Sequence, residues 1–165
     1  MADTAGINSG YPILAWQSST AEGYNVTISN GTKGSATISL TEGSYGGTVT
    51  FTVANSAACV VAYSTDGGVS YTRLVAMATE HSDLYNFTVE VSQDMAIAVV
   101  RKGDVNGDGN ISGADYTSAN AVYRGDITLS EQQFLAADLD GNGTLSAAEA
   151  TQIGTTFTGK LTLSW

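Results

Sequence analysis

The sequence predicts two modules of different class: an all-β antiparallel sandwich over residues 1–102 and a small all-α unit over 103–165. Three observations predict it. Residues 11 to 100 form a series of short alternating apolar runs broken by turn residues, while helical spacing begins only after Arg101 and Lys102. The polar content is mostly Thr, Ser, Asn and Gly, with little Lys or Glu, which favours strands. A chain of 165 residues accommodates one ordinary domain or two small ones.

In order, "YPILAW", "YNVTIS", "SATISL", "GTVTFTV", "CVVAYS", "VSYTRLV", "LYNFTVEV" and "MAIAVV" each read as a strand. Between them lie "SNGTKG", "TEGSYGG", "STDGGVS" and "ATEHSD", rich in Gly, Asn, Asp and Ser. "TDGG" between two apolar runs is a hairpin signal. About seven or eight strands at this spacing predict a sandwich of immunoglobulin-like type, although the Cys and Trp spacing of a true immunoglobulin domain is missing.

After Lys102 the pattern changes. "SGADYTSANAVYR" places Tyr116, Ala119, Val122 and Tyr123 at helical spacing, with Gly125 as the stop. "LSEQQFLAADLD" reads as a short helix capped by Ser130, with Phe134 and Leu135 inward. "LSAAEATQIG" predicts a third helix capped by Ser146 and stopped near Gly154, and "FTGKLTLSW" looks extended. The boundary falls at about residue 102 with almost no linker.

Net charge is −10, which disfavours nucleic acid and anionic membranes as partners. Residues 1–102 carry eight acids and four bases; residues 103–165 carry eight acids and two bases over a shorter stretch. Six of those last eight acids lie in two Gly-Asp segments, and acidity so localised suggests a cation. One cysteine, Cys59, excludes an internal disulfide framework and a Cys-rich zinc site, and its apolar run "AACVVAY" predicts a buried structural thiol. No stretch is long enough to span a membrane, and the start lacks a signal peptide. "MA" followed by a polar run reads as an excised fragment with a new start codon.

The acidic segments carry the chemistry. "GDVNGDGNISGAD", numbered from Asp104, places Asp104, Asn106, Asp108 and Asp115 at positions 1, 3, 5 and 12, with Gly109 at 6, Asn110 at 7, Ile111 at 8 and Ser112 at 9. "DLDGNGTLSAAE" repeats the layout with Asp138, Asp140, Asn142, Gly143, Thr144, Leu145, Ser146 and Glu149. Calcium is a hard cation that takes six to eight oxygens, and a twelve-residue loop of this kind supplies them. Side-chain oxygens come from 1, 3 and 5, a backbone carbonyl from 7, and a carboxylate at 12 closes the shell. Position 6 turns sharply and needs glycine; position 8 is apolar because it folds under the loop. Turn chemistry alone requires neither the apolar position 8 nor the closing carboxylate. Glu149 reaches with both oxygens; Asp115 is shorter, so the first loop must draw tighter or bind one oxygen fewer.

An EF-hand is helix, loop, helix, yet the first loop follows "MAIAVVRKG", a strand. Residues 103 to 165, with the opening "GDVNGDG", the paired loops and the closing "GKLTLSW", resemble the dockerin module of cellulosome-type assemblies. The resemblance implies two Ca²⁺ ions and a cohesin module on a scaffoldin as partner. It also implies a secreted or bacterial-cell-surface setting, in which the chain anchors a parent protein into a polysaccharide-degrading complex. The β-module resembles the X-type modules that precede some dockerins. The resemblance also implies a C-terminal tail that folds back to clasp the module, with Trp165 packed near Gly103.

Type I dockerins of clostridia carry a Ser-Thr pair at loop positions 10 and 11. Here those positions are Gly113 and Ala114, then Ala147 and Ala148, which points to a flatter face and a different cohesin group. The partner-facing set implied by the resemblance is Gly113, Ala114, Thr117, Ser118, Asn120, Ala121 and Arg124 on the first helix, with Ala147, Ala148 and Thr151 on the third. Superposing the repeats pairs Tyr123 with Phe157 but Tyr116 with Ala150, so one binding mode dominated by the first helix is expected.

Other readings are weaker. His81, the only histidine, falls in a polar turn with no nucleophile at recognisable spacing. Glu22, Glu42, Asp66, Glu80, Asp83 and Glu90 are scattered rather than paired, so no catalytic role is expected. Trp16 and the tyrosines at 11, 24, 45, 63, 71 and 85 raise the alternative of a glycan-binding β-module with a calcium-stabilised C-terminal tail. They lie singly in separate runs, which favours packing. Sequons at Asn110 and Asn142 fall inside the acidic loops, where a glycan would obstruct a metal, favouring a bacterial source. A calcium sensor is disfavoured by the missing first helix.

Overall fold

A computed structural model describes residues 23–30, 36–55, 57–78 and 83–165. The expectations for "YPILAW", Tyr11, Trp16, Glu22, Glu80 and His81 lie outside these residues, as does the side chain of Asn30. Among the described residues the strands are β1 Tyr24–Asn30, β2 Thr37–Ile38, β3 Gly43–Tyr45, β4 Gly47–Ala54, β5 Cys59–Ser64, β6 Thr72–Arg73, β7 Met77–Ala78, β8 Leu84–Val91 and β9 Met95–Arg101. The helices are α1 Gly113–Tyr123, α2 Glu131–Ala137 and α3 Ala147–Phe157. One sheet has the order β3-β1-β9-β5-β6 and the other β2-β4-β8-β7.

β4 and β8 alternate apolar and polar residues, as strands with one covered face do. Their register places Phe51 opposite Phe87 and Val53 opposite Tyr85, and the two phenyl rings stack at 5.7 Å. Phe51, Val53, Phe87, Val89 and Val91 meet Val26, Cys59, Val61, Met95, Ile97 and Val99 of the other sheet in one core. The hairpin read at "TDGG" forms, with Ala62 opposite Arg73 and Tyr63 opposite Thr72. Its connection is held by Asp66, whose Oδ1 accepts from the Ser64 hydroxyl and from the backbone N–H of Val69 and Ser70.

β5 and β9 behave differently. Val60, Ala62 and Val100 point away from the inter-sheet core and are buried instead under Leu135 and Ala136 of α2. The runs "CVVA" and "AIAVV" are continuous rather than alternating because these strands are covered on both faces. Full burial of a side chain such as Leu135 contributes about 2 kcal/mol, so α2 is seated on the sheet. Gly103 N donates to Ala136 O at 2.8 Å, and Gln132 Nε2 donates to Ser29 Oγ and Tyr71 OH.

The predicted fold class is therefore corrected. The chain is not an immunoglobulin-like antiparallel sandwich followed by an all-α dockerin; its described residues form a mixed fold of two sheets and three helices. β1 pairs in parallel with β9, from Val26 opposite Met95 to Asn30 opposite Val99. "TEGSYGG", read as a turn, contains β3, and "VSYTRLV" contributes only the two residues of β6.

The tail also departs from expectation. Trp165 does not reach Gly103; it packs on the inter-sheet core, against Tyr85. Leu163 takes the place beside Gly103, where a Cβ would stand 3.0 Å from Leu163 Cδ1 and 3.2 Å from Ile111 Cδ1. With φ at +87° as well, residue 103 has two reasons to be glycine.

Candidate metal centre

The first acidic loop leaves β9 and runs into α1; the second leaves α2 and runs into α3. Each ends in a capping box. Ser112 Oγ accepts from Ala114 N while Asp115 accepts from Ser112 N; at α3 Ser146 Oγ accepts from Glu149 N while Glu149 accepts from Ser146 N. The serine at position 9 and the acid at 12 thus start the helix as well as close the loop.

Position 1 organises each turn. Asp104 Oδ1 accepts from Gly107 N at 2.9 Å and Asp108 N at 3.1 Å, and its Oδ2 from Gly109 N at 2.9 Å. Asp138 repeats this with Gly141, Asn142 and Gly143 at 2.9, 3.2 and 3.0 Å. Gly109 and Gly143, at position 6, have φ of +96° and +83°, a conformation open to glycine at little strain. Ile111 and Leu145, at position 8, pack on a third core of Val105, Ala119, Ala137, Ala150 and Ile153.

Positions 3 and 5 exchange roles between the loops. Asn106 Nδ2 donates to Asp108 Oδ2 at 3.0 Å, whereas Asn142 Nδ2 donates to Asp140 Oδ2 at 2.9 Å. At positions 1, 3, 5 and 12 each loop therefore holds three carboxylates and one amide. Position 5 then anchors position 7: Asp108 Oδ1 accepts from Asn110 N, and Asn142 Oδ1 from Thr144 N, each at 2.8 Å.

Position 12 shows the difference one methylene makes. Asp115 Oδ1 accepts from Asn106 N alone, while Glu149 Oε1 accepts from both Leu139 N and Asp140 N. In the second loop, oxygens of Asp138, Asp140 and Glu149 lie within 4.8 Å of one another. Oxygens about 2.3–2.6 Å from a shared cation are separated by at most about 5 Å, so this spacing suits calcium.

Electrostatics give the test of fit. Asp104, Asp115, Asp138 and Glu149 are each no more than 3% exposed, so every loop buries two carboxyls of like charge. Burial pushes the Asp104 carboxyl above the usual range, and the charge of Asp115 pushes it further, against the hydrogen bond from Gly109. Asp108, in contact with water, is held below its usual range by hydrogen bonds from Asn110 and Asn106. An all-oxygen donor set holding two buried carboxyls in each loop fits a hard dication.

The partner-facing residues expected from the sequence lie on α1 and α3, which pack against each other. Ala114, Thr117, Arg124, Ala147, Ala148 and Thr151 are exposed, while Gly113, Ser118, Asn120 and Ala121 are half-buried. Thr117 and Thr151 bond back to the carbonyls of Gly113 and Ala147, and Arg124 pairs with Asp126. The position-10 Gly113 lies under Phe157, whose ring would be 3.7 Å from a Cβ there. Tyr116, at 43% exposure, and Phe157, at 51%, flank Gly154 in an open groove absent from the expected set. Their signal was an aromatic at an exposed helical position.

Two arginines that tie the loops to the sheets were also missed. Arg101 Nη1 donates to Gly109 O at 2.8 Å. Arg73 of β6 pairs with Asp138 Oδ2 at 3.3 Å and donates to Leu135 O at 3.2 Å and to Asp138 O.

Residues 102–156 match the family described as the dockerin type I domain. Neither the curated proteins nor the solved structures yield a match. The chain carries a dockerin module in this stretch, and dockerin domains are non-catalytic, calcium-binding modules that bind cohesins. The matched description is type I, although positions 10 and 11 lack the Ser-Thr pair.

Proposed function

We propose that this chain binds one cohesin module of a scaffoldin when both acidic loops hold calcium, and so anchors its parent protein in a secreted, cellulosome-like complex. Asp104, Asn106, Asp108, Asn110, Ser112 and Asp115 would hold one ion. Asp138, Asp140, Asn142, Thr144, Ser146 and Glu149 would hold the other, with Asn110 and Thr144 acting through their carbonyls. The observation that carries this reading is the repetition of one hydrogen-bonding scheme, atom for atom at position 1, in two loops that each bury two carboxylates. Calcium neutralises those charges and fixes the start of α1 and α3, which present the contact face.

That face comprises the expected residues of α1 and α3 together with Tyr116, Gly154 and Phe157. In the repeat, Tyr116 corresponds to Ala150 and Gly154 to Asn120, so the groove exists at one end of the helix pair and favours one orientation of the partner. Residues 1–102 form an accessory X-type region that braces the dockerin of residues 103–165. Glycan binding by that region finds little support: Tyr85 is stacked on Trp165, and the hydroxyls of Tyr71 and Tyr45 are engaged by Gln132 and Thr41.

A pull-down against a panel of cohesins, with calcium and with chelator, tests the proposal. Capture by at least one cohesin in calcium alone is expected; capture by none would sink it.

A further inference from the structure

We infer that Arg73 is a resident counter-cation of the second loop, a positioning residue that holds Asp138 in place without metal and competes with calcium for it. The two loops then differ in calcium affinity, the second being the weaker. This rests on the calcium reading above.

At position 1 the two loops share the same hydrogen bonds, so their difference is external. Among the described residues the hydrogen bonds to the Asp104 carboxylate come from backbone N–H groups. Asp138 has in addition the Arg73 guanidinium at 3.3 Å from Oδ2. The corresponding arginine of the first loop, Arg101, meets a carbonyl rather than a carboxylate. The side chain of Arg73 is 26% exposed and that of Asp138 4%, so the pair is partly withdrawn from water and its charges act on each other more strongly than they would in solvent.

A guanidinium keeps its proton, so it cannot yield to a metal by deprotonation. Nor is it free to swing away. It also donates to the carbonyls of Leu135 and Asp138, at the C-terminal end of α2 where the helix dipole favours a cation. The guanidinium also lies against the second loop, where a Cβ at residue 141 would meet Arg73 Nη1 at 3.4 Å.

A calcium ion held by Asp138 would share that carboxylate with this fixed positive charge. Pre-ordering of the loop lowers the cost of binding, but the fixed like charge outweighs it. At low calcium the second loop therefore keeps its shape with Arg73 as its cation. The first loop, with Asp104 and Asp115 buried together, depends on the metal.

Calcium titration by calorimetry into the full chain tests this, comparing the native sequence, Arg73→Gln and Arg73→Lys, each also with Asp104→Asn to disable the first loop. Arg73→Gln is expected to tighten binding at the second loop about tenfold and to lower the melting temperature in chelator. Arg73→Lys, with a mobile point charge, should tighten it less. Unchanged or weaker second-loop binding in Arg73→Gln overturns the inference; if that variant does not fold without calcium, the same result in Arg73→Lys overturns it. Absence of calcium binding in every chain, the native one included, overturns the calcium reading instead and removes this inference's premise.

Discussion

The indole of Trp165 stacks on the ring of Tyr85 with centroids 4.1 Å apart and planes 22° from parallel, while its Nε1 donates to Asn55 O at 3.2 Å. The last residue of the chain is thus built into the sheets, 110 positions from the carbonyl it bonds. Lys102 Nζ, donating to Ser164 O at 2.8 Å, holds the same tail from the other side. Trp165→Ala removes a half-buried aromatic and leaves Tyr85 uncovered. It is expected to cost about 2 kcal/mol of stability in denaturant titrations, with the loss falling on the sheets as well as the helices.

Gly154→Ala tests the groove on α3. A Cβ there would stand 2.8 Å from Tyr116 Cδ2 and 3.0 Å from Cε2. Tyr116 has solvent to move into, so stability should change by no more than about 1 kcal/mol. The displaced ring changes the groove it forms with Phe157, and cohesin affinity should fall at least about tenfold by calorimetry. Unchanged affinity would remove the groove from the contact face.

The acidic loops predict a pH dependence that calcium abolishes. The folded, metal-free chain raises the pKa of Asp104 through burial and the charge of Asp115. A carboxyl that holds its proton more tightly when folded favours the folded state below its unfolded pKa, and that advantage is lost as pH rises through the raised value. In chelator, melting temperature should therefore decline as pH climbs out of the ordinary carboxylate range. Asp104→Asn should flatten that slope, as should saturating calcium. A slope that Asp104→Asn leaves intact would assign the effect to another group.

Cys59 offers a probe of the sheets. Burial pushes its thiol up to about 11, against a hydrogen bond from Asn55 and the charges of Arg101 and Lys102. At neutral pH the folded chain should react with a thiol reagent roughly 100-fold more slowly than the unfolded chain. Fast labelling of the native chain would place Cys59 outside the core.

What the sequence made legible was local. The loops could be read because the hydrogen bonds within each loop join residues within about twelve positions, from Asp104 with Gly109 to Asn106 with Asp115. Most strands were legible for the same reason, since alternation in "LYNFTVEV" records one covered face. The joining of the two halves was not, although part of its signal was present. "CVVA" and "AIAVV" are apolar at successive positions, which marks two covered faces, and α2 is the second cover. Arg73 lies 65 positions from Asp138 and in a two-residue strand, so no spacing rule could bring them together. The clasp was expected at Gly103, but Ile111 and Leu163 occupy the space beside it and the ring of Trp165 stacks on Tyr85 instead.

The central claim is that cohesin binding follows calcium occupancy of the two loops. Its most direct test is the affinity of the full chain for a bound cohesin, measured across free calcium concentrations alongside calcium binding itself. The two curves are expected to rise together, and Asp104→Asn with Asp138→Asn is expected to abolish both. Cohesin binding that persists undiminished in chelator, or survives the double substitution, would contradict it.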